Sequence, residues 1–208
     1  MIRGILIATT IFVIWEISCS FFELPSFMLP PPSKVFVSIY TNWDELLIHA
    51  SYTLVEILAS IIIGSLIGIT AALIISSSVT LKRWIMPILL ASQSIPVFAL
   101  APLLILWLGY GMISKIVIGV LIVFFPITSN FTDALNKVPQ ELIDAGKTLN
   151  LSKIQLFWKI KIPSSLPGLC SGLRVAACFA PIGAVVGEWI GGSTGLGSFM
   201  IYSNARLQ

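Results

Sequence analysis

An all-α, polytopic bundle of about five membrane-spanning helices is the fold class this sequence predicts. Three observations predict it. Of 208 residues, 57% are hydrophobic and only 10% are charged, whereas a soluble domain carries about 25% charged residues. The mean hydropathy is +0.99. The apolar residues gather in runs of about 20, the length that crosses a bilayer as helix. No run alternates with period two as barrel strands do, and only helices or closed barrels satisfy their backbone in lipid.

The runs fall at roughly 4–22, 52–76, 85–108, 113–131 and 166–190. The first follows Arg3 and is interrupted by Glu16; without an A-x-A site after it, it reads as a retained span rather than a cleaved leader. Prolines then forbid regular helix through "LPSFMLPPPSKV". Ser33 is placed to cap a helix. Val35, Phe36, Ile39, Trp43, Leu46 and Leu47 recur at helical spacing. This predicts an amphipathic helix in the interface, or a docking surface for an external partner. The second and fifth spans carry small residues every fourth position: Ser60, Gly64, Gly68 and Ala72 in one, Gly168, Gly172, Ala176, Ala180 and Ala184 in the other. Such rows let helices approach closely in lipid. The third span holds Pro87, Pro96 and Pro102. Pro96 removes a backbone hydrogen bond and bends the helix, and Gln93 and Ser94 stand just before it. A bend at this depth is either structural or lines a translocation cavity.

Charge within spans is costly. Arg174 is placed to snorkel. Glu56 and Glu188 lie near the outer ends of their spans, where they either reach headgroups or, for Glu188, face an outward-opening cavity. Lysine and arginine set orientation. With the N-terminus inside, Arg3, Lys82, Arg83, Lys137, Lys147, Lys153, Lys159 and Lys161 are inside, against Lys34, Lys115 and Arg206 outside. Cys19, Cys170 and Cys178 read as small buried hydrophobes. His49, without a Cys or His at ligand spacing, reads as a loop or interface histidine, so no metal site is expected.

Residues 139–163 are too polar and lysine-rich to span. Leu142, Ile143, Gly146 and Leu149 have helical spacing after Pro139, with Glu141 and Asp144 in the early turns, where the dipole favours them. Asn150 tolerates the left-handed conformation that ends a helix. Ser152 then caps a second helix, closed by Pro163 and Pro167. The predicted shape is helix, sharp turn, helix, with Leu149, Leu151, Phe157 and Trp158 exposed. It lies either on the inner leaflet or in a partner's groove.

This segment resembles the "EAA" loop of ATP-binding-cassette importer permeases: Glu-Ala-Ala, three residues, Gly, nine residues, Ile-x-Leu-Pro. Here it reads Asp144-Ala145-Gly146, three residues, Asn150, nine residues, Ile160-Lys161-Ile162-Pro163. Asn150 replaces glycine with another residue able to adopt positive φ, while Gly146 weakens the helix by about 1 kcal/mol relative to alanine. "LPPPSKV", "ASQSIPVFALAPLLILWLGYG" and "GAVVGEWIGGSTGLG" resemble the nitrate, sulfonate, taurine and thiamine pyrimidine-precursor permeases, and most of all the last.

The resemblance implies a single permease domain over residues 1–208 of a bacterial inner-membrane importer. It implies docking of cytoplasmic ATPase subunits on Asp144, Ala145, Gly146, Asn150, Ile160, Ile162 and Pro163. The candidates for lining a pathway, Gln93, Ser94, Pro96 and Glu188, come from the proline break and the charge within a span. A second permease copy, an extracytoplasmic binding protein and membrane lipid are implied partners; no nucleic acid is. No cofactor is expected in this chain: ATP and Mg would be bound by the partner ATPase, since the chain has no G-x-x-x-x-G-K-[ST]. Such permeases usually have a sixth span after the segment matching "GLGSFMIYSNARLQ", so the last span is expected to be lacking. An intramembrane enzyme would need a nucleophile and base or a metal cluster at depth, and the sequence has no H-E-x-x-H and no paired aspartates in its spans. A non-transporting scaffold is the third reading.

Overall fold

The computed structural model describes residues 2–23 and 25–206. The start of the "LPSFMLPPPSKV" segment, Leu24, and the chain end at Gln208 lie outside the described residues. Ten α-helices follow in order: α1 (Ile2–Phe21), α2 (Pro32–Thr41), α3 (Trp43–Ser77), α4 (Val79–Ser92), α5 (Val97–Leu108), α6 (Met112–Asn136), α7 (Gln140–Thr148), α8 (Lys153–Leu156), α9 (Ile162–Gly191) and α10 (Leu196–Ala205). There is no strand among the described residues.

The core is a three-helix layer with α6 in the middle. The two small-residue rows both bear on it. A Cβ on Gly68 of α3 would lie 2.9 Å from the Phe124 carbonyl, and one on Gly172 of α9 would lie 3.0 Å from the Ile127 Cα. Backbones approach this closely because hydrogen is the only substituent there, and dispersion contacts follow. Val123, Ile127, Ala176 and Ala180 form one buried cluster. Ala72, Phe131 and Leu135 form another nearer the α7–α8 end, with Phe157 and Ile162 packed on it.

Contacts fix the direction of each helix. Glu56 near the start of α3 meets Lys115 near the start of α6, while Ala72 meets Phe131 and Leu135. α3 and α6 are therefore parallel. Gly187 lies against Lys115 and Gly168 against Ala134, so α9 runs antiparallel to both. The chain must then travel from the end of α3 to the opposite end at the start of α6. It does so through α4 and α5, and Ile105 of α5 reaches Gly191 at the far end of α9.

Among the described residues four helices are long and apolar enough to span, and the bent pair α4–α5, counted as one span, makes five. The expected third span, 85–108, is corrected here: it is two helices bent by 92°. Pro96 stands as the N-cap of α5, with φ −59° and ψ 125°, a conformation helix cannot continue through.

Three further expectations change. The interfacial helix ends at Thr41; Asn42 turns the chain, and Trp43, Leu46 and Leu47 belong to α3. Ser33 does not cap α2. Its N–H and hydroxyl donate to the Glu16 carboxylate at 3.0 and 2.7 Å. Glu16 of α1 thus satisfies a free donor at the α2 N-terminus, which accounts for a charge within the first run. Cys19 is buried as expected, but Cys170 and Cys178 are exposed on α9.

Candidate functional site

Two constructions stand at opposite ends of the three-helix layer. The first is the α7–α8 hairpin. α7 ends in a double hydrogen-bonded cap: Leu151 N–H donates to the Gly146 carbonyl at 3.1 Å and Asn150 N–H to the Lys147 carbonyl at 2.9 Å. This closure needs a left-handed residue between them, and Asn150 supplies it with φ 54°. Ser152 then caps α8 reciprocally with Gln155, its hydroxyl accepting from the Gln155 N–H and the Gln155 side chain accepting from the Ser152 N–H. Asn150→Gly is expected to keep the hairpin intact. Asn150→Val is expected to destabilise it by about 1–2 kcal/mol, since a β-branched side chain crowds the left-handed backbone. Faster proteolysis between α7 and α8 in the valine variant alone checks this.

Gly146 is buried under the second helix. A Cβ there would press on the ends of the Leu156 and Ile160 side chains. The glycine therefore does more than weaken α7, as its low helix propensity suggests; it lets α7 lie close on the helix that follows.

Asp144 and Ala145 sit on the exposed side of α7. Hydrogen bonds from the Lys147 ammonium and the Gln140 amide hold the Asp144 carboxyl below the usual carboxylate range. Leu149, Ile154 and Trp158 are exposed, whereas Leu151 and Phe157 are half-buried. Ile162 packs on the bundle core.

Pro163 and Pro167 do not close this helix, contrary to expectation. Lys153–Gly191 runs on as one apolar helix, through a π-helical turn at Phe157–Lys161. There the Ile162 N–H donates to the Phe157 carbonyl, five residues back. The wider turn accommodates a proline just after it, because the displaced carbonyls no longer await its missing N–H. The hairpin is thus joined to α9 through continuous helix.

The second construction is a buried polar cluster at the other end. Lys115 Nζ lies 2.9 Å from Glu56 Oε1 and 2.7 Å from the Thr194 carbonyl. Glu56 and Glu188 are fully buried and Lys115 is 2% exposed. The Glu188 carboxyl lies against that of Glu56. It accepts from the Thr53 hydroxyl at 2.6 Å and from the Gly197 N–H. The Leu196 N–H donates to Thr53 Oγ1 at 2.8 Å, and the Gly195 N–H to His49 Nδ1 at 3.0 Å.

Three successive N–H groups before and at the α10 start are thereby held by α3 and α9 side chains. The His49 ring stacks on Phe199 at 4.9 Å, an interface histidine as expected. Beside the cluster is a cleft of about 560 Å³ lined by Tyr52, Glu56, Tyr110, Lys115 and residues 190–194, among others.

This cluster corrects three expectations. Lys115 is not an outer-loop lysine, Glu56 does not reach the headgroups, and Glu188 does not face the cleft. Taking Lys115 out leaves the charge bias intact, eight basic residues against Lys34 and Arg206. The Glu56–Lys115 pair joins residues 59 positions apart, and no local spacing announces it. The signal available was a carboxylate and a lysine at the same depth of two spans.

Gln93, Ser94 and Pro96 lie together and exposed at the α4–α5 break. The Gln93 N–H donates to the Leu90 carbonyl and the Ser94 N–H to the Ala91 carbonyl. They do not meet Glu188.

Residues 64–208 match the family described as binding-protein-dependent transport system inner membrane component. A probable ABC transporter permease protein of Haemophilus influenzae is 44% identical over all of this chain and 85% of its own length. A formylaminopyrimidine transport permease protein of Halalkalibacterium halodurans is 39% identical over 90% of this chain and 75% of its own. A riboflavin transport system permease protein of Chloroflexus aurantiacus is 35% identical over 90% and 71%. The layer of closely packed spans, its exposed helical hairpin and these matches agree: this chain belongs to the binding-protein-dependent transport family as an inner-membrane permease of an ATP-binding-cassette importer.

Proposed function

We propose that this permease moves a thiamine pyrimidine precursor of the hydroxymethylpyrimidine type inward by alternating access. The observation that supports this substrate is the similarity to a relative named for formylaminopyrimidine transport. Sulfonate, taurine, nitrate and other vitamin precursors are the alternatives, the last favoured by the relative named for riboflavin.

In this reading the whole of 1–208 is one permease domain and residues 139–163 are its coupling loop. The exposed side of α7, carrying Asp144 and Ala145, docks on an ATPase subunit that binds ATP and Mg. Gly146 sets the hairpin's depth, Asn150 its angle, and Ile160, Ile162 and Pro163 tie it to α9. Two permease copies enclose the path, with Gln93, Ser94 and Pro96 of the break along it. An extracytoplasmic binding protein delivers the solute.

The N-terminus and the hairpin lie in the cytoplasm, and the Glu56–Lys115 cluster at the outer side. A cysteine at position 150, with the three native cysteines replaced by alanine, tests this orientation. It is expected to react with a membrane-impermeant maleimide in inside-out vesicles and not in intact cells; the reverse would overturn the orientation. The substrate is tested by isolating the importer's binding protein. Tight binding of hydroxymethylpyrimidine is expected, and preference for a sulfonate or nitrate would reject it.

A further inference from the structure

Arg174 stands far inside α9. Gly172 lies against the Ile127 Cα and the Asn130 Cβ of α6, and Ala176 packs with Val123. Arg174 is therefore level with the middle of α6. Along α9 it is about 18 Å from Ile162, at a rise of about 1.5 Å per residue. The hydrocarbon layer is about 30 Å thick. Arg174 is thus at mid-depth, too far from the last lysine, Lys161, to snorkel as its place in the sequence suggests.

The side chain is exposed. Among the described residues it makes no ion pair; the two pairs are Lys115–Glu56 and Lys147–Asp144. The carboxylates within the spans are used elsewhere or lie at another depth. Glu56 and Glu188 are buried in the outer cluster, and Glu16 accepts from Ser33. Asp133 is about two turns nearer the hairpin, beside the Ala134–Gly168 contact. A second copy of the chain brings the same carboxylates, so a packed interface between copies leaves the guanidinium unmatched.

The face around Arg174 is also unlike a lipid face. Three, four or seven residues from it stand Pro167, Cys170, Ser171, Ala177, Cys178 and Pro181, all exposed and on one side of the helix. None is large. Leu166, Phe179 and Ile182 stand to the sides. The exposed row of α3, by contrast, is Leu54, Leu58, Ile62 and Leu66, side chains that suit lipid tails. An exposed, unpaired charge at mid-depth belongs in water, where such residues mark solute paths.

We propose that this face of α9 lines the water-filled translocation path and that Arg174 is its charge filter. The guanidinium meets the acceptor atoms of a passing solute, ring nitrogens or an oxyanion, and turns cations away. Its five N–H donors suit that task. The inference goes beyond the substrate reading above and holds for a pyrimidine or a sulfonate.

Cys170 and Cys178, one turn to either side of Arg174, serve as probes. The permease–ATPase complex in lipid nanodiscs, in a Cys19→Ala background, is treated with an anionic sulfonatoethyl or a cationic trimethylammonioethyl methanethiosulfonate. Lipid shields a thiol from both reagents, and a water-filled path admits them. Both thiols are expected to react. Their anionic-to-cationic rate ratio is expected to exceed that of a free thiol, a comparison from which the thiol's own ionisation cancels. Arg174→Gln is expected to lower the ratio about tenfold, since it removes one charge a turn away. Arg174→Lys is expected to keep it. Thiols that resist both reagents would put the face in lipid or in a packed interface and overturn the proposal. A ratio that Arg174→Gln leaves unchanged would overturn it too. Neither result touches the substrate reading, which is tested on the binding protein.

Discussion

Lys115→Ala is expected to destabilise the permease by about 3–5 kcal/mol, because it leaves Glu56 charged and unmatched in a buried site. The ammonium also holds the Thr194 carbonyl, so the loop before α10 loses an anchor. The Glu56→Met, Lys115→Met double variant is expected to recover most of the loss, since removing both charges together removes the desolvation problem. Thermal unfolding of the purified complex in detergent measures this. Equal losses in the single and double variants would show that the pair stabilises by attraction rather than by mutual neutralisation. The Thr194 contact predicts a small residual deficit in the double variant, since its carbonyl is left without a donor.

The second large effect is at Gly146. Gly146→Phe is expected to reduce ATP-driven uptake by at least tenfold while the protein still inserts in the membrane. The new side chain has nowhere to go: the space beside the glycine is filled by the Leu156 and Ile160 side chains. The hairpin must open, and the exposed side of α7 changes its angle to α9. Gly146→Ala is expected to be mild. The contacts a single methyl meets are the flexible ends of two side chains, and alanine returns about 1 kcal/mol of helix propensity. Uptake by proteoliposomes, with ATPase co-purification measured beside it, separates lost docking from lost coupling.

Much of this fold could be read from the sequence because its signals are local. The Asn150 turn and the Ser152 cap depend on neighbours a few residues away, and both were legible. The small-residue rows at Gly64, Gly68, Gly172 and Ala176 were legible because lipid-facing helices pack through such faces. What was missed depends on contacts distant in sequence or on backbone geometry. Glu56, Lys115 and Glu188 each looked like a span-end charge, and only the fold brings them together. Pro163 looked like a stop, but the π-helical turn ahead of it carried the helix through. Pro96 read as a kink within one span, and the structure turns it into a break between two helices. Glu16 read as an interruption and is the acceptor for the start of α2.

The role proposed for the hairpin rests on its spacing from Asp144 to Pro163. Its continuation as helix into α9 was not legible, because that follows from the π turn.

The central claim is that the α7–α8 hairpin is the surface on which the importer's ATPase docks. The most direct measurement is site-specific cross-linking from a photoreactive residue at Leu149, 74% exposed at the hairpin tip, in cells that also express the ATPase. A cross-link to the ATPase that Gly146→Phe weakens is the predicted result. A residue at Leu149 that cross-links only to lipid, while one at Tyr110 captures the ATPase, would contradict the account.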